Sequence, residues 1–279
     1  MGIQTRANFK KEFLAFFRAN RFTILAATVI AIALLSPLLI TGLGAMMTAM
    51  SDIYDEMGMD VTGMTDMLGS HSSIGVMSSV SDLTTTALIV FLLLINRHAG
   101  GEQKKRAVII PRSSGLRSFS YIFPKFIIYP LSAFALGFAG MIASWFVSGL
   151  LFQVHDVIFS VVAIAGALVG VCLMLYVCFH LAFGTATGRP GLSATFCIIA
   201  SFILPHAIAL ADADLVFNPF ALPLMASEAI SNGFVTFSQG EDMAVTVSVA
   251  FGIMLLTYFI ALFAQNAKRI DNRGNEINL

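Results

Sequence analysis

The side chains that could do chemistry in this sequence are few and scattered. Among the five histidines and the serines, two pairings could serve a serine protease within a membrane if facing helices brought them together: Ser193 with His206, and Ser144 with His180. The chain has no HExxH zinc motif, and no Gly-Lys pair that could cradle the phosphates of ATP. We therefore expect no catalytic site, no bound metal and no cofactor in this chain.

The densest collection of functional groups is the segment RHAGGEQKKRAVIIPRSSGLRSFSYIFPK, residues 97–125. It holds seven of the sixteen lysines and arginines and one acidic residue, Glu102. Keeping a loop in the cytoplasm requires only a few basic residues. The mixture of arginine, serine and aromatic residues after Pro111 favours a short helix and a surface on which another protein docks. A solvated loop is the alternative interpretation.

Composition shows what kind of elements must position these groups. Hydrophobic residues make up 57% of the chain, charged residues 11%, and the mean hydropathy is +0.85. A soluble protein carries about 25% charged residues, so the sequence predicts an all-α integral membrane protein. The formal net charge is zero, so nothing in the overall charge favours a nucleic-acid partner.

Uncharged apolar runs of about 20 residues predict six transmembrane helices. They cover residues 22–46, 74–96, 126–152, 157–183, 192–210 and 243–264. The second run is the least regular, because Asp82 interrupts it and its first turns could lie outside the membrane. With this placement no acidic residue lies at mid-membrane, which disfavours a proton-driven carrier.

The distribution of charge predicts the orientation. Six spans place both termini on one side, and assigning that side to the cytoplasm puts all sixteen lysines and arginines inside, with twelve of the sixteen acidic residues outside. We therefore expect a multi-pass protein of a prokaryotic plasma membrane, with both termini cytoplasmic.

The remaining segments complete a single transmembrane domain over residues 1–279. Residues 1–21 are predicted to form an amphipathic helix on the inner membrane surface, because one face carries Phe9, Phe13, Phe16 and Phe17. Residues 211–242 contain an apolar stretch interrupted by Pro219 and Pro223, which predicts broken helices dipping into the outer leaflet. Residues 265–279 form a cytoplasmic tail.

The order of these features resembles the membrane subunits of ATP-binding-cassette (ABC) type 2 exporters. An amphipathic helix precedes the first span, the segment GGEQKKRAVIIPRSSGLRSFSYIFPKF follows the second, and the pair Asn218 and Pro219 precedes the last. The family often has Gly-Lys where the third span begins, whereas this chain has Pro124 and Lys125. That departure concerns how the short helix enters the third span.

The resemblance implies a six-span permease subunit that dimerises with an identical or a different second subunit. Such a dimer moves a substrate, here unidentified, outward through the lipid bilayer by alternating access. The energy would come from a separate ABC ATPase subunit, which would carry the ATP and magnesium.

The resemblance also assigns roles to single residues. Glu102 matches the acidic position after the second span, and the segment 112–121 matches the coupling helix that rests in a groove of the ATPase. The implied coupling residues are Glu102, Arg106, Pro111, Arg112, Ser113, Leu116, Arg117, Phe119 and Tyr121. The implied cavity-lining residues, each explained equally well by ordinary helix packing, are Thr84, Thr85, Thr86, Phe91, Phe196 and Phe202.

Two other classes of protein stay open. An ATP-independent secondary carrier or channel would move its substrate under an ion gradient alone. A non-transporting membrane sensor or immunity protein would use the acidic outer loops to hold a cationic peptide.

Overall fold

The architecture is that of a computed structural model, which describes residues 2–18, 20–50, 53, 71–102, 117–210 and 217–271. Within these ranges the chain is almost entirely helical, as predicted. The helices are α1 (Ile3–Arg18), α2 (Arg21–Ala49), α3 (Ser72–Asp82), α4 (Leu88–Ile95), α5 (Ser118–Leu151), α6 (Phe159–Thr187), α7 (Pro190–Leu210), α8 (Leu222–Asn232) and α9 (Phe237–Asp271).

Short non-α turns continue some of these helices. A π-helical turn, Leu83–Ala87, joins α3 to α4, so the two form one rod. A second π-helical turn, Arg97–Gly101, follows α4, and a 3-10 turn, Pro219–Ala221, leads into α8. We call the end of the bundle that carries α1 the inner end, and the end that carries His71 and Asp156 the outer end.

Among the described residues, five helices are long and apolar enough to cross a membrane. They are α2, the α3–α4 rod (Ser72–Ile95), α5, α6 and the Phe237–Ala267 part of α9. Helix α7 has 21 residues, Pro190–Leu210, and contains the apolar segment Pro190–Pro205. The fold therefore suits a multi-pass helical membrane protein, while six crossings stay a prediction.

Helix α6 forms the centre of the bundle. In its most apolar window 78% of the residues are buried, compared with 33% in α2 and 22% in α9. Small residues let α5 approach it closely: a Cβ added at Gly137 would come within 3.3 Å of the Gly170 backbone. The outer helices expose large side chains such as Leu39 and Phe263, as expected where lipid covers them.

Two long helices begin earlier than the hydropathy predicts. Helix α5 starts at Ser118 rather than at residue 126, and α9 starts at Phe237 rather than at residue 243. The prediction failed at α5 because Lys125 was taken to lie outside a span, whereas the fold buries this side chain and supplies it with partners. Residues 118–125 thus belong to α5 and not to a separate coupling loop.

The prolines near the outer end start a helix instead of breaking one. Pro219 and Pro223 lie in the first turns of the continuous segment 219–232, where a proline's missing N–H has no helical partner to lose. Asn218 caps this start, since its Oδ1 accepts a hydrogen bond from the Phe220 N–H at 3.1 Å. One face of α8 is buried against α6 and α3. The predicted dip of this segment into the outer leaflet stays a prediction.

Candidate functional site

Four buried ionisable side chains meet at the inner end of the bundle. Glu12 comes from α1, His98 and Glu102 from the turn after α4, and Lys125 from α5; each is at most 7% exposed. Because an isolated buried charge is very unfavourable, such groups persist only when partners satisfy them. We call these four residues, with Tyr121, Tyr129 and Arg21, the inner cluster.

A break in the helix after α4 positions the two residues that this turn supplies. Gly100 has a φ of 124°, a conformation that side chains disfavour, and it packs against the backbone carbonyl of Gly184 on α6. Gly184 in turn packs against the carbonyl of Ala99, with no room for a Cβ. This contact between glycine backbones holds His98 and Glu102 against the inner end of α6.

The Lys125 ammonium is fully satisfied. Its Nζ donates to Glu102 Oε2 at 2.8 Å, to the Tyr121 hydroxyl at 2.9 Å and to the His98 carbonyl oxygen at 3.1 Å. The Tyr121 hydroxyl donates to the same Glu102 oxygen at 2.8 Å. The three protons of the ammonium group therefore have three acceptors.

Glu12 and His98 form the other half of the inner cluster. The Tyr129 hydroxyl donates to Glu12 Oε2 at 2.9 Å, and His98 Nδ1 lies 3.0 Å from the same oxygen. The guanidinium group of Arg21 contacts His98 Nε2. Because Nε2 faces a donor, it must be the unprotonated nitrogen, so His98 is neutral and carries its proton on Nδ1, toward Glu12.

The pKa values agree with this assignment of charge. Burial opposes the ionisation of Glu12, but Lys125, His98 and Tyr129 outweigh it and lower its pKa to about 2. Burial likewise opposes ionisation of Glu102, and mainly Lys125 lowers its pKa below the ordinary value. Burial lowers the pKa of His98, which keeps the imidazole neutral. Lys125 Nζ forms the ion pair with Glu102, and Lys11 Nζ lies 3.9 Å from Glu12 Oε1.

Three members of the inner cluster could in principle hold a metal ion. Glu12, His98 and Glu102 offer ligand atoms that all lie within 4.8 Å of one another. However, Lys125 already pairs with Glu102 at 2.8 Å and Arg21 contacts His98 Nε2, so a divalent ion would place two further positive charges beside two cations. The chemistry of this cluster is therefore that of an ionic anchor between helices.

An open cavity of about 370 Å³ borders the inner cluster. Its lining includes three arginines, and the lining residues are Leu14, Ala15, Arg18, Arg21, Arg97, His98 and Glu102. Such a lining attracts an anionic group rather than a cation.

The structure corrects part of the predicted coupling surface. Glu102 and Tyr121 are buried in the inner cluster, so neither can touch a docked protein directly. Arg117 is exposed at the start of α5, and Phe119 is 47% exposed and stacks on Phe123. The other predicted coupling residues lie outside the described part of the chain: Arg106, Pro111, Arg112, Ser113 and Leu116.

The predicted cavity-lining residues divide into two groups. Thr84 and Phe91 are buried in the helix packing, and the Thr84 hydroxyl donates to the Val80 carbonyl at 2.7 Å. Thr85 is half-buried, and the exposed residues of the set are Thr86, Phe196 and Phe202. Since α7 packs beside α4 and the π-helical turn Leu83–Ala87, these exposed residues lie on neighbouring helices.

Of the two predicted serine and histidine pairs, Ser144 and His180 do not bond to each other, and the side chain of His206 lies outside the described part of the structure. Ser144 bonds to Ser79, with 2.6 Å between the hydroxyl oxygens, and not to His180. Ser193 lies against His180, with its Oγ 3.0 Å from Nδ1, and both side chains are fully buried. A substrate could not reach them.

An acidic residue lies near mid-span, contrary to the prediction. Asp82 ends the eleven residues of α3, within the continuous 24-residue helix Ser72–Ile95. Its Oδ2 lies 2.6 Å from the hydroxyl oxygen of Ser36, near the middle of α2. The prediction treated Asp82 as an interruption of the span 74–96 whose first turns could lie outside the membrane, whereas one helix of crossing length continues through it.

The sequence held signals for the members of the inner cluster that the prediction missed. Glu12 stands three residues after Phe9 and four before Phe16, so it lies on the apolar face of α1. Tyr121, Lys125 and Tyr129 follow one another at intervals of four. A charged residue on an apolar helix face indicates a buried partner.

No family model matches this chain, and no curated protein or solved structure matches it either. The resemblance to type 2 exporters rests on the order of its sequence motifs. The function of this chain is therefore inferred from these motifs and from the side chains described above.

Proposed function

We propose that this chain is the membrane-spanning permease subunit of an ABC exporter. It would move a still unidentified substrate outward, as part of a dimer of permease subunits driven by a separate ATPase subunit that binds ATP and magnesium. The observation that carries the proposal is the inner cluster, because it ties the residues on both sides of segment 103–117, the central part of the predicted coupling loop 97–125, to the same lysine.

The mechanical role follows from the bonds of Lys125. Glu102 precedes the loop and Tyr121 follows it, and Lys125 binds both side chains. Glu12 adds α1 to the same unit, through its contact with His98 and its bond with Tyr129. A partner that pushes on the loop would therefore move α1, α4 and α5 together. Glu102 and Tyr121 act as positioning residues in this proposal.

The contact with the ATPase would come from the loop itself and from the exposed start of α5. The proposed contact residues are Arg106, Pro111, Arg112, Ser113, Leu116, Arg117 and Phe119. The proposed lining of the substrate path is reduced to the less buried members of the predicted set, which are Thr85, Thr86, Phe196 and Phe202.

Charge reversal tests the docking surface. The proposed ABC ATPase subunit should copurify with this chain, and Arg112→Glu with Arg117→Glu should abolish both copurification and stimulated ATP hydrolysis. Arg189→Glu is the matched control, since Arg189 is exposed in the connection between α6 and α7 at the same end. Persistence of both activities in the double variant, or equal loss in the control, would overturn the docking surface.

A secondary carrier is the second candidate, and Asp82 is the observation that favours it. Ionisable residues within spans often mark ion or proton pathways. The purified chain alone, in vesicles that contain a pH-sensitive dye and no ATP, should show no proton flux if the exporter proposal is right. A proton flux that Asp82→Asn removes would replace the exporter proposal by the carrier.

A further inference from the structure

The setting of Asp82 is poor for a carboxylate. Its helix has a mean hydropathy of 1.8 over its most apolar window, and a charge at the centre of a span costs roughly 2.5 to 3.5 kcal/mol on insertion scales. An ionised carboxylate has about four acceptor sites. Among the described residues, Ser36 supplies the hydrogen bond that Asp82 makes. The carboxyl group, which is half-buried, thus lacks among the described residues the donors that would stabilise its charge.

Neighbouring hydroxyl groups do not donate further hydrogen bonds to Asp82. The π-helical turn Leu83–Ala87 begins directly after Asp82. Within it, the Thr84 hydroxyl donates to the Val80 carbonyl at 2.7 Å, and the Thr85 hydroxyl donates to the Ser81 carbonyl at 2.7 Å. Both protons are therefore occupied by the backbone.

No cation on the packed helices can neutralise Asp82 within the described part of the chain. The helices packed against α3 are α2, α5 and α8. Their charged residues are Arg21 at the inner start of α2, Lys125 near the inner start of α5 and the exposed Glu228 on α8. At the outer end of α3, Asp156 and His71 contact each other at 3.1 Å.

A count of hydrogens favours a protonated Asp82. The Ser36 hydroxyl has one proton, yet its oxygen lies 2.9 Å from the Ile32 carbonyl oxygen and 2.6 Å from Asp82 Oδ2. If Asp82 were ionised, both neighbours would be acceptors competing for that proton. If Asp82 carries a proton, it donates to Ser36, Ser36 donates to Ile32, and both short contacts are hydrogen bonds.

Polar groups lead from Asp82 toward the outer end. Ser72, Gly75 and Ser79 share a face of α3 with Asp82, at helical spacing. The hydroxyl oxygens of Ser79 and Ser144 lie 2.6 Å apart, and either can donate. One turn further along α5, Ser148 is fully buried, and its hydroxyl has no hydrogen-bond partner among the described residues although it borders Gly75.

The unpaired Ser148 hydroxyl points to an ordered water in this column. Buried polar groups are nearly always bonded, to protein or to water. At its outer end the column reaches Ser72, whose hydroxyl donates to Asp156 Oδ1 at 2.8 Å, and Asp156 is partly exposed.

We propose that Asp82 is a proton-binding site near the middle of the bundle, reached from the outer end through this column. A proton entering from outside water passes along the hydroxyl groups, each of which gives one proton and takes one. It ends on the Asp82 carboxylate and neutralises it. Release reverses these steps. The site does not depend on an ATPase partner, so it can be tested whether or not the proposed exporter function holds.

Infrared spectroscopy of the full chain in lipid vesicles tests the site. The carbonyl stretching band of a protonated carboxyl group should be present at neutral pH, absent in Asp82→Asn and shifted in Ser36→Ala. Asp156→Asn is the matched control, since Asp156 is partly exposed, and it should leave the band unchanged. A spectrum without any band that Asp82→Asn removes would overturn the proposal.

Chemical labelling keeps the test valid if the asparagine variant does not fold. Dicyclohexylcarbodiimide reacts with protonated carboxyl groups in apolar surroundings, so mass spectrometry of the unaltered protein should find it on Asp82 and not on Asp156. Labelling of Asp156 alone would overturn the site.

The rate at which the Asp82 proton exchanges for deuterium tests the proposed route through the column of hydroxyl groups. After transfer to D2O, the Asp82 band should shift several-fold more slowly in Ser148→Ala than in Ser248→Ala, an exposed control on α9. Equal rates would overturn the outer route.

Discussion

The inner cluster and the Asp82–Ser36 pair both place carboxyl groups inside the bundle, but they satisfy them differently. In the inner cluster, two carboxylates have two cations, two tyrosine hydroxyls and a neutral histidine around them. Asp82 has one serine among the described residues. Buried charges that are fully partnered rigidify a fold, whereas an underpartnered group can change its protonation state at little structural cost. The first region therefore suits force transmission and the second suits proton binding.

Removing the shared cation should produce the largest effect. Lys125→Met keeps the volume of the side chain but leaves Glu102 buried without its counter-ion, which should cost about 3 to 5 kcal/mol of stability. Thermal unfolding in detergent measures the loss. The double variant Lys125→Met with Glu102→Gln should recover part of it, and a single variant as stable as the original protein would contradict the anchor.

Acid should weaken the inner cluster through two residues in the same direction. The pKa of Glu12 falls from 4.5 to about 2 on folding, so its stabilising contribution is complete above 4.5 and is lost as the pH falls toward 2. The pKa of His98 lies below its ordinary 6.5, so its contribution is complete above 6.5 and is lost as the pH falls below that value.

The melting temperature as a function of pH measures this acid dependence. Glu12→Gln should flatten the part of the curve between pH 4.5 and about 2. An unchanged slope in that variant would assign the acid sensitivity to other groups.

Neutralising Asp82 should have a small effect on stability, in contrast with the inner cluster. Asp82→Asn should change the free energy of unfolding by less than about 1 kcal/mol, since an amide replaces a protonated carboxyl of the same shape and can still bond to Ser36. Unfolding measurements at neutral pH compare it with Glu102→Gln, which should be clearly more destabilising. Equal losses would remove the distinction between the two regions.

Metal removal should have no effect. EDTA should leave the melting temperature unchanged, because Lys125 already pairs with Glu102 and Arg21 contacts His98. A stability loss that added zinc reverses would show instead that Glu12, His98 and Glu102 bind a metal.

The sequence predicted the helical membrane fold well because apolar runs of crossing length are a strong signal. It missed what depends on contacts between distant segments. Hydropathy treats Lys125 as the end of a span and Asp82 as an interruption of one, although a buried partner for the first and a hydroxyl group for the second allow the helices to continue. The predicted start of α5 and the predicted absence of an acidic residue at mid-span were both wrong for this reason.

The sequence predicted only some of the residues of the inner cluster. Glu102 and Tyr121 were identified, but as surface residues, because a loop motif does not show which side chains turn inward. Their burial depends on Gly100 and Gly184, whose backbones touch across 84 positions of sequence. No local pattern encodes such a contact.

The π-helical turn Leu83–Ala87 is a position where the helix can lose one residue without changing how it packs. A π-helical turn accommodates one residue more than the α-helix around it. Losing one codon within it would restore a regular helix and keep α3 and α4 facing their present neighbours. Losing a codon elsewhere in the rod would rotate everything beyond by about 100° and turn buried side chains toward lipid. The turn is thus the position in this helix where natural variation in length is expected to survive.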